Sequence, residues 1–309
     1  VARMDHSEMM KYLADYEAAL RNIANDVDIF IAHHANLSCV AVNSISNEFN
    51  KPYVVFVHGT GIEPRHENLW DDDNWRMIEK SIIEAKGILV TTDYVRDKLV
   101  KPMIDIPNDK FLILPCGVDL EDFRPDNTKG IREQFNLPET YVICPGALTL
   151  SKGPQNVVEA SSEYSDLAHT VFIGAGELQE ELELKLGEKG RFLGFVSSED
   201  KAKLINAATL LVAAPEKKEH FGIIYAEALA GGTPCVAYQG GGVGSIVTKT
   251  EGILTDRNPK ALGLKVNYLL QNAGLRRQMA VSCRARAEKL YDYNELVQEL
   301  VSWLKPMCK

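Results

Sequence analysis

Residues 219–237 read EHFGIIYAEALAGGTPCVA, from Glu219 to Ala237, and the order of residue types in this stretch decides the fold. A helix starting near Phe221 and Gly222 leaves its first backbone N–H groups free, which makes that end an anion site. Glu219 falls just before the start. Glu227 falls about one to two turns inside, where a carboxylate accepts two hydrogen bonds from a vicinal diol such as a ribose. Ala228 to Pro234 reads as a helix end with a Gly-Gly cap and a turn, and Cys235 to Tyr238 as the next strand. The segment therefore gathers a diphosphate, a ribose and a further hydroxylated group around one helix end. The bare pair of glutamates, in a chain with 43 acidic residues, reads as a solvated helix face; the residues around the pair change that reading.

On either side, apolar runs alternate with amphipathic segments, the pattern of a parallel sheet covered by helices. The expected strands are Val27–Ala32, Tyr53–His58, Gly87–Thr91 and Phe111–Leu114, then Tyr141–Cys144, Val171–Gly174, Phe192–Gly194, Leu210–Ala213, Pro234–Tyr238 and Gly252–Leu254. Helices are expected at Ser7–Ala24, at Asp200–Ala208 and at Pro259–Gln271, the last with Asn258 as N-cap and Pro259 at the first helical position. Gly117–Leu137 lacks a strand pattern and is rich in Asp, Pro and Gly, which puts a domain boundary near residues 123–135. Tyr291–Lys305 reads as a final amphipathic helix with Tyr293, Leu296, Leu300 and Trp303 on one face. The fold class is α/β, with two Rossmann-like domains facing a cleft.

With 309 residues, 45% of them hydrophobic, the chain is long enough for two cores. No run reaches the roughly 18 apolar residues of a membrane span, and no basic-then-apolar leader opens the sequence. The expected location is cytoplasmic, with peripheral contact at the inner membrane face left open. A net charge of −9 argues against a general nucleic-acid binder, which needs a basic footprint. Cys39, Cys116, Cys144, Cys235, Cys283 and Cys308 show no close pairing and read as reduced, mostly core residues. Asp71-Asp72-Asp73 reads as a solvated charge run in a loop between helices.

With Phe221-Gly222, the small-residue helix and the Gly-Gly-Thr-Pro exit, the opening stretch resembles the donor-binding signature of GT-B glycosyltransferases, in particular the retaining group 1 type called glycosyltransferase family 4. The resemblance runs from Val27 onward. It implies an acceptor-side Rossmann-like domain over residues 1–125, a nucleotide-sugar donor domain over 126–290, and a last helix, 291–309, packing back towards the first domain. The family opens with a strand and a Gly-rich turn, whereas this chain goes directly into a helix. Either the first domain lacks roughly its first third, which is the expectation adopted and would expose an edge strand in need of a partner segment, or this is an unusual variant of the family.

The resemblance also implies roles. Glu227 takes the ribose and Glu219 the outer hydroxyls of the sugar, with Phe221, Gly222 and Ile223 at the helix start. His58, after the strand Pro52–Val57, reaches the transferred sugar near the reacting carbon; the sequence alone reads it equally as a strand-capping histidine. His33 and His34 stay candidates for acceptor or interface roles. Pro145–Gly153 matches the loop that faces the donor diphosphate, with Lys152 and Gly153 in place, but Ala147 stands where the family has arginine. A methyl group does not replace a bidentate guanidinium, so Lys217, Lys218 or helix N–H groups would have to fill that gap. Leu114–Asp119 resembles a cleft-lining loop, with Cys116 in place of the usual asparagine. Gly174, in Gly174-Ala175-Gly176-Glu177, allows close backbone approach or a plain tight turn. Phe195 and Val196 lie at the strand end that reads the donor base. Gly241 and Gly242, in Gly240–Gly244, offer an anion nest or a mobile surface turn.

The implied activity is a retaining, metal-independent, hexosyltransferase-type transfer from a nucleotide diphosphate sugar, UDP-sugar first and GDP-sugar next. The acceptor is a hydroxyl on a carbohydrate, a lipid-linked species or a small molecule. No cofactor and no metal are implied. Two other readings stay open: a nucleotide-sugar isomerase or epimerase of the same fold, and a donor-binding protein with lost activity.

Overall fold

The computed structural model describes residues 2–308. The chain forms two units: one runs to Pro115 and takes back Leu296 onward, and the other spans Cys116–Glu295.

In the first unit, β1 (Phe30–His33), β2 (Tyr53–Val57), β3 (Gly87–Val90) and β4 (Phe111–Ile113) form a parallel sheet in the order β1-β2-β3-β4. Parallel strands are covered on both faces, which is why β2 and β3 are continuous apolar runs with no alternation. One face packs under the helices His6–Arg21, Leu37–Phe49 and Asp72–Glu84, with Met9, Ile45, Trp75, Ile78 and Ile82 in one core with Val55 and Ile88. Each helix starts on a short polar side chain that accepts from a free N–H group: Asp5 from Glu8, Asn36 from Ser38, and Asp71 from Asp73 and Asn74. The Asp71–Asp73 run is thus not a loop. It is the cap and first turn of a helix, where negative charge meets the positive end of the dipole.

The other face of this sheet is covered by the helix Tyr293–Leu304. Leu296, Leu300 and Trp303 pack with Val54, Leu89 and Leu114, while Tyr293 stays 53% exposed and lies off this face. The Trp303 ring sits so close to Gly87 that an added Cβ there would come within 2.4 Å of it.

In the second unit, β5 (Tyr141–Pro145), β6 (His169–Ile173), β7 (Gly190–Phe192), β8 (Leu210–Ala213), β9 (Cys235–Tyr238) and β10 (Gly252–Thr255) form a six-stranded parallel sheet. Its order is β10-β9-β8-β5-β6-β7. The chain winds outward from β5 in one direction, then returns to β8 on the other side of β5 and winds the opposite way. The reversal opens a crevice at the carboxyl ends of β5 and β8. Tyr141, Val171, Leu211 and Tyr225 fill one face of the sheet, and Val142, Phe172, Val212 and Leu262 the other.

The units divide at Pro115 and Cys116, earlier than the composition of Gly117–Leu137 suggests. Residues 118–123 lack strand pattern but are fastened to the second unit through their backbone. Val118 N–H donates to Tyr291 O at 2.8 Å, Arg284 donates to Leu120 O and Phe123 O, and Asn206 donates to Asp122 O. Partners so distant in sequence leave no local pattern. Cys39, Cys144, Cys235 and Cys283 are buried, Cys116 is half-buried and Cys308 exposed, all as free thiols.

Candidate functional site

The crevice of the second unit is built from the loops that leave β5 and β8. These loops touch: Glu216 N–H and Lys217 N–H both donate to Ser151 O, and Asn156 Nδ2 donates to Ala214 O at 3.1 Å. Gly153 permits the contact, since its φ is +69° and a Cβ there would lie 1.8 Å from Ala214 O. The contact brings Lys152 to Glu219, with Nζ 2.8 Å from Oε1. Arg257, just after β10, donates to Pro215 O and Glu216 O and so fixes the rim that carries Lys217 and Lys218. Both of those lysines are exposed, as is Ala147 in the β5 loop.

The expected helix is Ile223–Ala230 with Gly222 as its N-cap, and no side chain caps it. Its first N–H groups are therefore open to an anion. Phe221 is buried and meets the Tyr291 ring edge-on, which anchors the loop just before the helix. Ile223 is half-buried. At the far end Thr233 N–H reaches Ala228 O and Gly232 N–H reaches Leu229 O, the paired bonds of a Gly-ended helix.

Glu227, in the second turn, is only 7% exposed. Its Oε1 accepts from Lys201 Nζ at 2.6 Å, and its Oε2 is buried with no hydrogen-bond partner. A buried carboxylate oxygen without a donor is costly, by about 1–3 kcal/mol, and a ligand hydroxyl would remove that cost.

Gly240–Gly244 is not a free surface turn. Gly242 N–H donates to Glu219 O at 2.7 Å, and Gly241, with φ +64°, lies so close that a Cβ would come within 2.1 Å of the same oxygen. The loop is thus bound to the backbone of Glu219. Gly174 pairs with Gly194 across the ends of β6 and β7, and what its lack of a side chain accommodates is Gly146 O in the β5 loop. Phe195 is 87% exposed and Val196 half-buried, both after the edge strand β7. They lead into the helix Ser198–Asn206, which carries Lys201 towards Glu227.

The second unit therefore collects Lys152, Gly153, Lys217, Lys218, Glu219, Phe221, Gly222, Ile223, Gly241 and Gly242 at one sheet end, with Glu227 inside the helix. Sequence reading missed Lys201 and Arg257. Lys201 lies within an expected helix, but nothing local marks a lysine whose partner is 26 residues away.

His58 belongs to the first unit, where it follows β2. His33 ends β1, and its Nδ1 lies 2.9 Å from His58 Nε2. His58 stacks on Phe56 at 4.1 Å, and the His34 ring lies 4.7 Å away. Burial, then the neighbouring His34 and His33, push the His58 imidazole down to about 4. Burial and His34 lower His33 as well. Both rings are neutral at pH 7, with a donor on one nitrogen and an acceptor on the other. Among the described residues, the hydrogen bond that the His58 ring makes is to the neighbouring His33 imidazole.

Among the described residues no helix is long and apolar enough to cross a membrane. Comparison with known proteins gives two family matches: residues 127–286 match the group 1 glycosyl transferases, and residues 3–122 match Glycosyltransferase Family 4. An uncharacterized glycosyltransferase of Methanocaldococcus jannaschii is 26% identical over 82% of this chain and 69% of its own length. A D-inositol 3-phosphate glycosyltransferase of Nocardioides is 28% identical over 72% of this chain, but only 54% of its own length is matched. Among solved structures, Anabaena HepE in complex with UDP superposes with a TM-score of 0.83 at 18% identity, covering 94% of this chain and 82% of that one. With its two parallel sheets, its double match and this structural likeness, the chain belongs to the group 1 glycosyl transferases and has their GT-B fold.

Proposed function

We propose that this protein transfers a hexosyl group from a nucleotide diphosphate sugar to an acceptor hydroxyl, with retention at the anomeric carbon and without a metal. The observation that carries the reading is Glu227: a buried carboxylate with one unpartnered oxygen, inside the helix whose uncapped start lies at the crevice of the second sheet. In this reading the diphosphate lies at the helix start, with Lys152 and the Gly240–Gly244 loop; Glu227 takes the ribose and Glu219 the outer hydroxyls of the sugar. The bond between the anomeric carbon and the diphosphate oxygen breaks, and a bond to the acceptor oxygen forms on the same face. The acceptor proton goes to the departing phosphate. Lys152 and the helix N–H groups stabilise the charge that develops there.

A UDP-sugar is the first choice of donor, supported by the UDP in the HepE complex. A GDP-sugar is the second. The second unit is assigned to the donor and the first to the acceptor, whose chemistry is a carbohydrate, lipid-linked or small-molecule hydroxyl.

The test is a thermal-shift screen of UDP-, GDP- and ADP-sugars, followed by product analysis. A nucleotide at 100 times its Kd stabilises by roughly 2.7 kcal/mol. The reading requires stabilisation by one nucleotide class and a glycosylated product of retained configuration. An altered free sugar formed without acceptor would replace it by the isomerase reading, and binding without turnover on any acceptor by the donor-binding one.

A further inference from the structure

Lys201 and Glu227 form a largely buried ion pair of the second unit, in which the proposed chemistry gives Glu227 a role and Lys201 none. Glu227 keeps only 9% of its side-chain surface and Lys201 29%, so neither group reaches its partner through bulk water. Lys201 stands on the helix Ser198–Asn206, which Ser197 caps by accepting from Asp200 N–H. Its other carboxylate neighbours are engaged elsewhere: Glu199 holds Lys203 at 2.6 Å, and Asp200 holds Ser197 and Gln134. The ammonium is thus committed to Glu227.

That commitment has a geometric consequence. A carboxylate offers about four acceptor positions. One on Oε1 is taken by Lys201 Nζ at 2.6 Å, while Oε2 takes none from the protein. A free carboxylate on a helix would turn about its last torsion, which is soft. A carboxylate held at one oxygen by an ammonium from a second helix is fixed in plane and presents its remaining positions in one direction. Two hydroxyls on adjacent carbons match that arrangement. A single hydroxyl leaves one position empty.

We propose that Lys201 is a positioning residue: by holding Glu227 at Oε1 it aims the carboxylate at the ribose diol and so sets a preference for ribonucleotides over deoxyribonucleotides. The inference rests on the donor-site reading above. Lys201 itself touches no substrate; it acts through Glu227.

The experiment measures the affinities of UDP and 2′-deoxy-UDP, and of GDP and 2′-deoxy-GDP, for the whole chain and for Lys201→Met. The unaltered protein should bind the ribonucleotide about tenfold or more tightly than its deoxy form, the effect of one charge-assisted hydrogen bond. In Lys201→Met that ratio should fall to within about twofold, mainly through loss of ribonucleotide affinity. A ratio kept at its original value in the folded variant overturns the inference and leaves Lys201 a packing residue. Should Lys201→Met not fold, Lys201→Leu, which likewise leaves no donor beside Glu227, gives the same reading: a reduced ratio supports positioning and an unchanged one overturns it. Absence of any nucleotide binding by the unaltered protein overturns the donor-site reading and this inference with it. Binding without ribose preference overturns this inference alone.

Discussion

His33 Nδ1 and His58 Nε2 stand 2.9 Å apart at the carboxyl ends of neighbouring strands, so one imidazole donates to the other along that line. Two rings that share one hydrogen cannot both be charged without losing that bond. Burial is the main reason that both rings are harder to protonate, with His34 beside each of them and His33 beside His58 adding to it.

The first prediction concerns pH. A group lowered in the folded chain binds its proton more readily when unfolded, so its stabilising contribution is complete above the ordinary value of 6.5 and is lost as pH falls towards about 4. Melting temperature should therefore drop between pH 6.5 and 4 more steeply for the unaltered chain than for His58→Gln. Parallel curves would show that His58 does not titrate in that range. At pH 7.5, His58→Ala should lower turnover about 100-fold with nucleotide affinity unchanged, as for a contact made in the transition state.

The two glutamates should separate by ligand. Glu227→Ala should weaken bare UDP or GDP by about tenfold or more, because it removes the ribose acceptor. Glu219→Ala should not weaken them, since its carboxylate lies 2.8 Å from Lys152 and competes with a diphosphate for that ammonium. Calorimetry with the bare nucleotides checks this, and equal losses in both variants would contradict the assigned roles.

Ala147 is exposed in the β5 loop, so an arginine fits there without displacing packed atoms. Ala147→Arg should tighten nucleotide diphosphate binding by about tenfold through a charge-assisted bond. Unchanged affinity, together with a large loss in Lys217→Ala or Lys218→Ala, would mean that the rim lysines already supply the missing charge.

The last helix is tied to the first sheet by Trp303. Replacing this half-buried ring by alanine should cost about 2 kcal/mol, less than the full price of a completely buried one. Gly87→Leu should also destabilise the same unit, because its side chain would occupy the position of that ring. Urea unfolding followed through the first unit checks both, and a Trp303→Ala variant as stable as the original would show that the helix is not held there.

By itself the sequence determined the ten strands, because a parallel sheet buries both faces and writes each strand as an apolar run between helical segments. It also determined the helix after Gly222, with Glu219 before it and Glu227 inside, since these positions depend only on spacing along one segment. Strand ends were less legible: β1 begins at Phe30, where pairing with Tyr53 begins, and not at Val27, because apolar content along one segment does not show where the neighbouring strand starts. What only the tertiary structure decided are the pairs. Lys152 meets Glu219 across 67 residues, Lys201 meets Glu227 across 26, and His33 meets His58 across 25. Each pair depends on which element lies beside which: the first on β5 lying next to β8, the second on the helices Ser198–Asn206 and Ile223–Ala230, and the third on β1 lying next to β2. Local periodicity records which face of an element is buried; the identity of the neighbour on that face is set by the packing of the whole sheet.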